Sequence, residues 1–565
     1  MKKNSFSRTL HVLTLLLLSV TTSTAQDKLT DILEAELKRE IAVLKTQEVP
    51  AYYLSYRVDA TNGYDISAQF GSLTHSRDSK SKILTITLRV GSPALDNFHP
   101  LRDRFDMSSS VYSRVELPVE DDANAIRNIV WKATDEAYRN AVSKFSKVKS
   151  NISVKIAEED KSPDFTLEAP KVYEEKPIKP ESMKFNIREW EARTSRYSAE
   201  FLKDSAIFYG SSNASYRIER RYFVSSEGDK IVQNFTSCNV AIVGVIKAKD
   251  GMEMPLYKTY FAYKPDGLPS DAEMQKKTSE IVSNLTALRN APVAEPFSGP
   301  SLLSAEASGV FFHEIFGHRI EGQRMKSEDD AQTFKKKVGE VILPTSLSVY
   351  CDPLQRKYEG IDLNGYYQYD DQGSKAEKVN IVENGVLKNF LMSRTPIKGF
   401  PKSNGHGRAM AGMQPVTRQS NLIIETNLPK TTQELRAEVI RLAKAQKLDY
   451  GYIFQEVTGG FTSTGRYSPS SFNVTPTLVY RIYTDGRPDE LVRGVDLIGT
   501  PLSMFSQIDM AGGGKGVFNG TCGAESGGVP VSCCSPMILV KLIETQKKSK
   551  SQELPYILPR PTTNN

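Results

Sequence analysis

The run His313-Glu314-Ile315-Phe316-Gly317-His318 sets two imidazoles around a carboxylate, the makings of metal-assisted hydrolysis. Neutral His nitrogens bind Zn²⁺ well, and a Glu beside them can take the proton from a water that the metal holds. In the commoner H-E-x-x-H arrangement the histidines stand at i and i+4, on one face of a helix. Here they stand at i and i+5. At roughly 100° per residue, the two rings of a regular helix would lie about 140° apart. The spacing therefore predicts a helix widened by a π-bulge, a distortion that gathers at functional sites. Gly317, which has no Cβ, is expected to ease it.

Two histidines leave a catalytic zinc site one protein ligand short when the fourth position is kept for water. The other candidates beyond the first 25 residues are His75, His99 and His406, with Cys238, Cys351, Cys522, Cys533 and Cys534. Cys522 stands out in Asn519-Gly520-Thr521-Cys522-Gly523, where flanking glycines let the backbone approach an ion. A metal would keep its thiolate deprotonated and shielded from oxidation. Glu321, one turn after His318, is placed to orient a ligand or to cap the helix end. His406 and Arg408, in a glycine-flanked loop, are candidates to line a substrate groove or to steady an oxyanion. The run Gly512-Gly513-Gly514-Lys515-Gly516 lacks the spacing and the Ser or Thr of a phosphate loop. It is read as a flexible loop near the metal.

A chain of 565 residues is too long for one hydrophobic core, so at least two domains must position these groups. Hydrophobic content of 39% and charged content of 25% describe an ordinary globular protein rather than a disordered chain. Residues 1–25 read as a secretory signal. Lys2, Lys3 and Arg8 precede an apolar stretch, Val12 to Val20, that is too short to span a bilayer. Ser23-Thr24-Ala25 offers the cleavage site, so an exported, periplasmic or secreted protein with no integral membrane segment is expected. Removing that segment lowers the net charge from +6 to +3. With no basic cluster interleaved with aromatics, nucleic-acid binding is not expected. Five cysteines are too few for a disulfide framework. A bond between the adjacent Cys533 and Cys534 would be strained, and either can instead pair with Cys351 or Cys238.

Helical periodicity covers residues 27–46, and strand patterns follow at 52–58, 64–70 and 83–90. A helix is expected from Asp122 to about Phe145, a meander over 222–263, and a helix over 271–289. An apolar helix from Leu302 to about Gly322 then carries the metal motif, and strand patterns dominate after it. The fold class is α+β. An N-terminal α/β domain of antiparallel strands and helices takes residues 26–290. A β-rich domain with the motif on its π-bulged helix takes 291–546, and a loose tail takes 547–565.

Several segments, in order, resemble the TldD/PmbA metallopeptidase family, and specifically its TldD-like, active-site-bearing subunit. They are Phe312 to Gly322, Asp370-Asp371-Gln372-Gly373, Val382 to Leu387, Ser403 to Arg408, Val492 to Gly499, and Gly520-Thr521-Cys522-Gly523. The resemblance implies one zinc ion, or another divalent metal, held by His313, His318 and Cys522, with Glu314 as general base. It implies hydrolysis of unfolded proteins or short peptides by a homodimer, or by a heterodimer with a PmbA-like paralogue. The chain departs from the family in its export signal and in Cys533-Cys534, where small residues are usual. Two other functions fit the same residues: a maturation protease for one exported peptide, and a noncatalytic metal-bearing assembly subunit.

Overall fold

A computed structural model describes residues 28–101, 114–152, 160–326, 330, 332–465 and 472–548, with positions 556, 558 and 561. The expected signal at 1–25 and nearly all of the expected tail lie outside these residues. The first helix, Lys28–Leu44, buries Leu29, Ile32, Leu33, Leu37, Ile41 and Leu44 against the first of the two large sheets. That sheet has eight strands among the described residues. Ala51–Gln69 pairs antiparallel with Ser72–Ser92 on one side and Ile207–Ser225 on the other; Lys230–Lys247 and Glu253–Ala262 follow outward. Residues 52–58 and 64–70 are thus one strand and not two. The polar stretch between them stays in register on both sides, and its Asp59 is paired with Arg57 and Arg221. Helices Ala123–Ile152, Ile187–Ala199 and Asp271–Asn290 pack on this sheet. The last begins with a capping box between Ser270 and Glu273.

The second sheet has eleven strands among the described residues. Phe297–Leu303 pairs parallel with Tyr450–Thr462 and antiparallel with Gly527–Lys547. Through Phe472–Tyr483 and Val495–Gly499 these strands form a closed circuit. The helix Ala305–Ile315 lies across it, burying Val310, Phe311, Phe312 and Ile315 in the main apolar core. Both sheets and their helices bear out the α+β class.

The helix carrying the motif differs from expectation in one respect. It contains no π-bulge; it ends at Ile315, and a separate 3₁₀ turn, Gly317–Arg319, carries His318. Phe316 leaves helical geometry at φ −121°, ψ −51°, and stacks on Phe505. The Arg319 guanidinium then turns back to donate to the Glu314 carbonyl at 2.8 Å, satisfying the helix end that a bulge would have continued. Gly317 is required for close approach, since a Cβ there would lie 2.0 Å from the Gln419 Oε1. The glycine run at 512–516 is likewise no loop. It is an irregular part of the strand Ile508–Ala524, whose pairing with Gly527–Lys547 shifts between Gly512 and Lys515.

The two sheets meet through buried charge. Asp371 accepts from the Ala409 amide at 2.8 Å, pairs with Arg57 at 3.3 Å, and is bonded by Arg221. Both arginines come from the first sheet. Removing Asp371 would leave Asp59 and Glu219 as their carboxylate partners among the described residues. Asp371→Ala is expected to cost about 3–5 kcal/mol. Denaturant unfolding measures this, and an unchanged midpoint would contradict it.

Candidate metal centre

The helix Ala305–Ile315 starts at Ser304, whose hydroxyl accepts the Ala307 amide at 3.3 Å, and its last turn carries His313 and Glu314. The 3₁₀ turn after it re-aims the chain, so the His313 and His318 rings stand 5.0 Å apart and nearly perpendicular. Cys522 comes from the final hairpin, where it pairs with Val529 on Gly527–Lys547. Its Sγ lies 3.1 Å from His313 Nε2 and 3.3 Å from His318 Nε2. One donor atom from each of the three lies within 4.8 Å of the others, and all three residues are buried. A tetrahedral zinc with ordinary bond lengths separates its nitrogen and sulfur ligands by about 3.6 Å. The residues fit such an ion after a shift of a few tenths of an ångström, and they could hold one.

Each imidazole is held from behind. His318 Nδ1 lies 3.3 Å from Glu321 Oε2, and His313 Nδ1 lies 3.6 Å from Cys533 Sγ. Glu321, fully buried, also accepts from Arg324 Nε at 2.9 Å and faces Arg418 Nε at 3.7 Å. Arg418 donates to the Cys522 carbonyl, to Ser526 Oγ and to the Gly527 carbonyl, so it fixes the tip of the hairpin that bears Cys522.

The charges of these groups follow from their neighbours. Burial would raise the Cys522 thiol, but His313 and His318 hold it well below the usual thiol range. Burial would depress His318, yet Glu321 and Cys522 lift it to about 10. Burial would raise Glu321, yet His318, Arg324 and Arg418 draw it down to about 2. Glu314 goes the other way. Its burial outweighs the attraction of His313 and His318, and its carboxyl is raised above the ordinary range.

These groups open on a cavity of about 350 Å³ lined by His313, Glu314, His318, Cys522, Arg324 and the strand segment Thr458–Thr462. Gly460 lies against Glu314; a Cβ there would be 2.3 Å from the Glu314 Cγ. The Gly459-Gly460 pair is the only mark this contact leaves in the sequence. Nothing in the sequence singles out Arg324, Arg418 or Gly460, and Cys533 enters there only among the candidate ligands and as a possible disulfide partner. All five cysteines are free.

His406 and Arg408 are neither groove residues nor an exposed loop. His406 is fully buried, with Nε2 at 3.3 Å from Ser420 Oγ, and burial pushes its pKa down to about 3. Arg408 donates to the Gln419 carbonyl and lies over the Tyr367 ring. Neither lines the cavity. They brace the segment that packs against Gly317. Among the described residues no helix is long and apolar enough to cross a membrane.

Residues 298–547 match the family model described as the PmbA/TldA metallopeptidase C-terminal domain. A metalloprotease from Archaeoglobus fulgidus is 30% identical over 273 residues, which span 47% of this chain and 58% of that protein. A zinc metalloprotease TldD homolog from Saccharolobus solfataricus is 25% identical over 331 residues, 58% of this chain and 69% of that one. The chain thus spans less than two thirds of the first relative's length. The crystal structure of TldE from Thermococcus kodakarensis shares the fold, with a TM-score of 0.60 over 92% of this chain and 100% of that one at 15% identity. Residues 298–547 are thus similar to the C-terminal domain of the PmbA/TldA metallopeptidases, and the chain is similar to metalloproteases over about half of its length.

Proposed function

We propose that this chain is a zinc-dependent peptidase that cleaves short peptides or unfolded segments, with His313, His318 and Cys522 as the metal ligands. The observation that carries the reading is the meeting of two imidazole nitrogens and one sulfur beside a cavity whose wall includes the Glu314 carboxyl. When bound, a zinc ion at these donors supplies Lewis acidity toward a carbonyl and makes water a stronger acid. Glu314 takes the proton of the attacking water and returns it to the departing amine. Its raised proton affinity suits that exchange, because a carboxylate of ordinary acidity is a poorer base near neutral pH.

The groove wall supports an extended substrate. Tyr450–Thr462 pairs with Phe297–Leu303 only from Tyr452 to Phe454, so on that side no strand pairs with its residues 455–462 among the described residues. That stretch contains the Gly459-Gly460 backbone beside Glu314. Backbone groups left without a strand partner can pair with an incoming peptide whatever its side chains, which gives sequence-tolerant capture. Residues 1–25 are read as directing export, and assembly as a homodimer or with a PmbA-like paralogue is part of the same proposal.

Glu314→Gln keeps the shape of the side chain but removes the base. It is expected to retain metal in elemental analysis while peptide cleavage falls about 10²–10⁴-fold. Undiminished cleavage of an unstructured substrate by this variant would sink the mechanism. Proton release gives a second check. In the metal-free protein at pH 7.5, His318 is charged because its pKa is near 10, whereas Cys522 is already a thiolate. The His318 imidazolium must lose its proton to bind an ion, so zinc uptake should release a proton from it, and apparent affinity should rise with pH up to about 10. Titration calorimetry in buffers of different ionisation heat measures the number, and a value of zero would contradict the charge assignment.

A further inference from the structure

We propose that Cys533 is a positioning residue for His313: its sulfur accepts the Nδ1–H of the imidazole and commits Nε2 to the metal. The inference rests on the reading of His313 as a metal ligand. A neutral imidazole carries one N–H. If Nε2 offers its lone pair to an ion, the hydrogen sits on Nδ1 and must find an acceptor in a buried place. The structure gives Nδ1 the Cys533 sulfur, at 3.6 Å, while Nε2 lies 3.1 Å from Cys522. Two sulfurs therefore flank one ring, at opposite nitrogens. Cys533 faces the side away from the other two donors, so it is placed to orient the ring and not to join the ligands.

Backbone placement makes the contact possible. Cys533 is fully buried on Gly527–Lys547, opposite Phe518 in the final hairpin. Gly309 stands one turn before His313 on the facing helix. A Cβ at Gly309 would lie 3.1 Å from the Cys533 carbonyl oxygen and 3.2 Å from its Cβ. The glycine lets the helix settle close to the strand, and that closeness brings Nδ1 within reach of the sulfur. The two imidazoles thus have unlike supports, a carboxylate behind His318 and a thiol behind His313. A sulfur is the weaker acceptor, so it fixes the tautomer and ring plane of His313 while drawing less on its proton.

The test uses the full-length protein, stripped of metal and titrated with Zn²⁺ against a chromophoric chelator. Cys533→Val keeps much of the side-chain volume but offers no acceptor. It is expected to bind zinc about 10–100-fold more weakly, as removal of a hydrogen-bond partner behind a ligating His does. Cys533→Ser restores an acceptor and is expected to bind close to wild type. Wild-type affinity in the valine variant overturns the proposal. So does an equal loss in the serine variant, which would mark the site as one of packing alone. Should the valine variant fail to fold by circular dichroism, Cys533→Ala takes its place against serine with the same two readings. A wild-type protein that binds no zinc overturns the proposed function together with this inference, whereas intact wild-type binding with insensitive variants overturns this inference only.

Discussion

The structure depends on one chain of contacts, Cys522–Arg418–Glu321–His318, which keeps three mutually close donors in a buried place where their charges offset one another. Arg418 grips the Cys522 carbonyl and faces Glu321; Glu321 stands behind His318. Arg418 and Glu321 are both fully buried. An ion buried alone costs several kcal/mol, and here the Glu321 charge is offset by Arg418 together with Arg324 and His318. The pair ties the 3₁₀ turn after the helix to the tip of a hairpin some two hundred positions later, 204 between His318 and Cys522. Distance in sequence is thereby turned into contact within hydrogen-bonding range.

The first sheet contributes to the site without lending it a donor. Its outer strand Glu253–Ala262 supplies Tyr257, whose hydroxyl donates to the Thr458 carbonyl, and Lys258, which pairs with Glu306 in the first turn of the site helix. Lys277, on the helix Asp271–Asn290, reaches Glu456 at 3.0 Å. Both the helix that carries Glu314 and the strand that faces it are thus held from the same side. Deeper in, Arg394 donates to the Thr166 carbonyl and pairs with Glu227 at 2.7 Å. The two sheets are joined by buried ion pairs at Asp371 and Glu227, by more exposed pairs at Lys258 and Lys277, and by apolar packing of Leu478 on the core of the first sheet.

Much of this was legible in the chain, and the failures have physical causes. The His-Glu-His run and Cys522 could be found because metal ligands are drawn from few residue types, and the glycines around Cys522 mark a backbone that must come close to something. Long helices such as Asp271–Asn290 announce themselves by a capping residue and periodic apolar side chains. The helix Thr432–Ala445 carries the same signal in Thr431 and Glu434, with Leu435, Val439 and Ala443 on its buried face, but it lies among segments whose patterns are those of strands. The π-bulge was a reasonable answer to the i, i+5 spacing, but a helix can also satisfy it by stopping. The stop is held by Arg319, a buried charge that caps the helix end. His406 and Arg408 looked functional because polar residues among glycines usually sit on exposed loops. Here the glycines permit close packing instead: a Cβ on Gly405 would meet the Lys375 carbonyl oxygen at 2.4 Å.

Burial by itself does not decide the state of a group in this centre; its neighbours do. Glu314 and Glu321 lie seven residues apart and are both buried, yet one carboxyl is raised and the other drawn to about 2. Glu321 has His318, Arg324 and Arg418 around it and serves as a fixed negative charge. Glu314 borders an open cavity, with glycine backbone pressed against its side chain, and its burial outweighs the attraction of His313, His318 and Arg319. The first arrangement suits a support that must never exchange its proton. The second leaves a carboxylate whose protonated and ionised forms lie closer in free energy, which is the property a group needs if it is to take a proton and give it back. The same sequence motif thus supplies, within two helical turns' length of chain, an anion made permanent and an anion kept reactive.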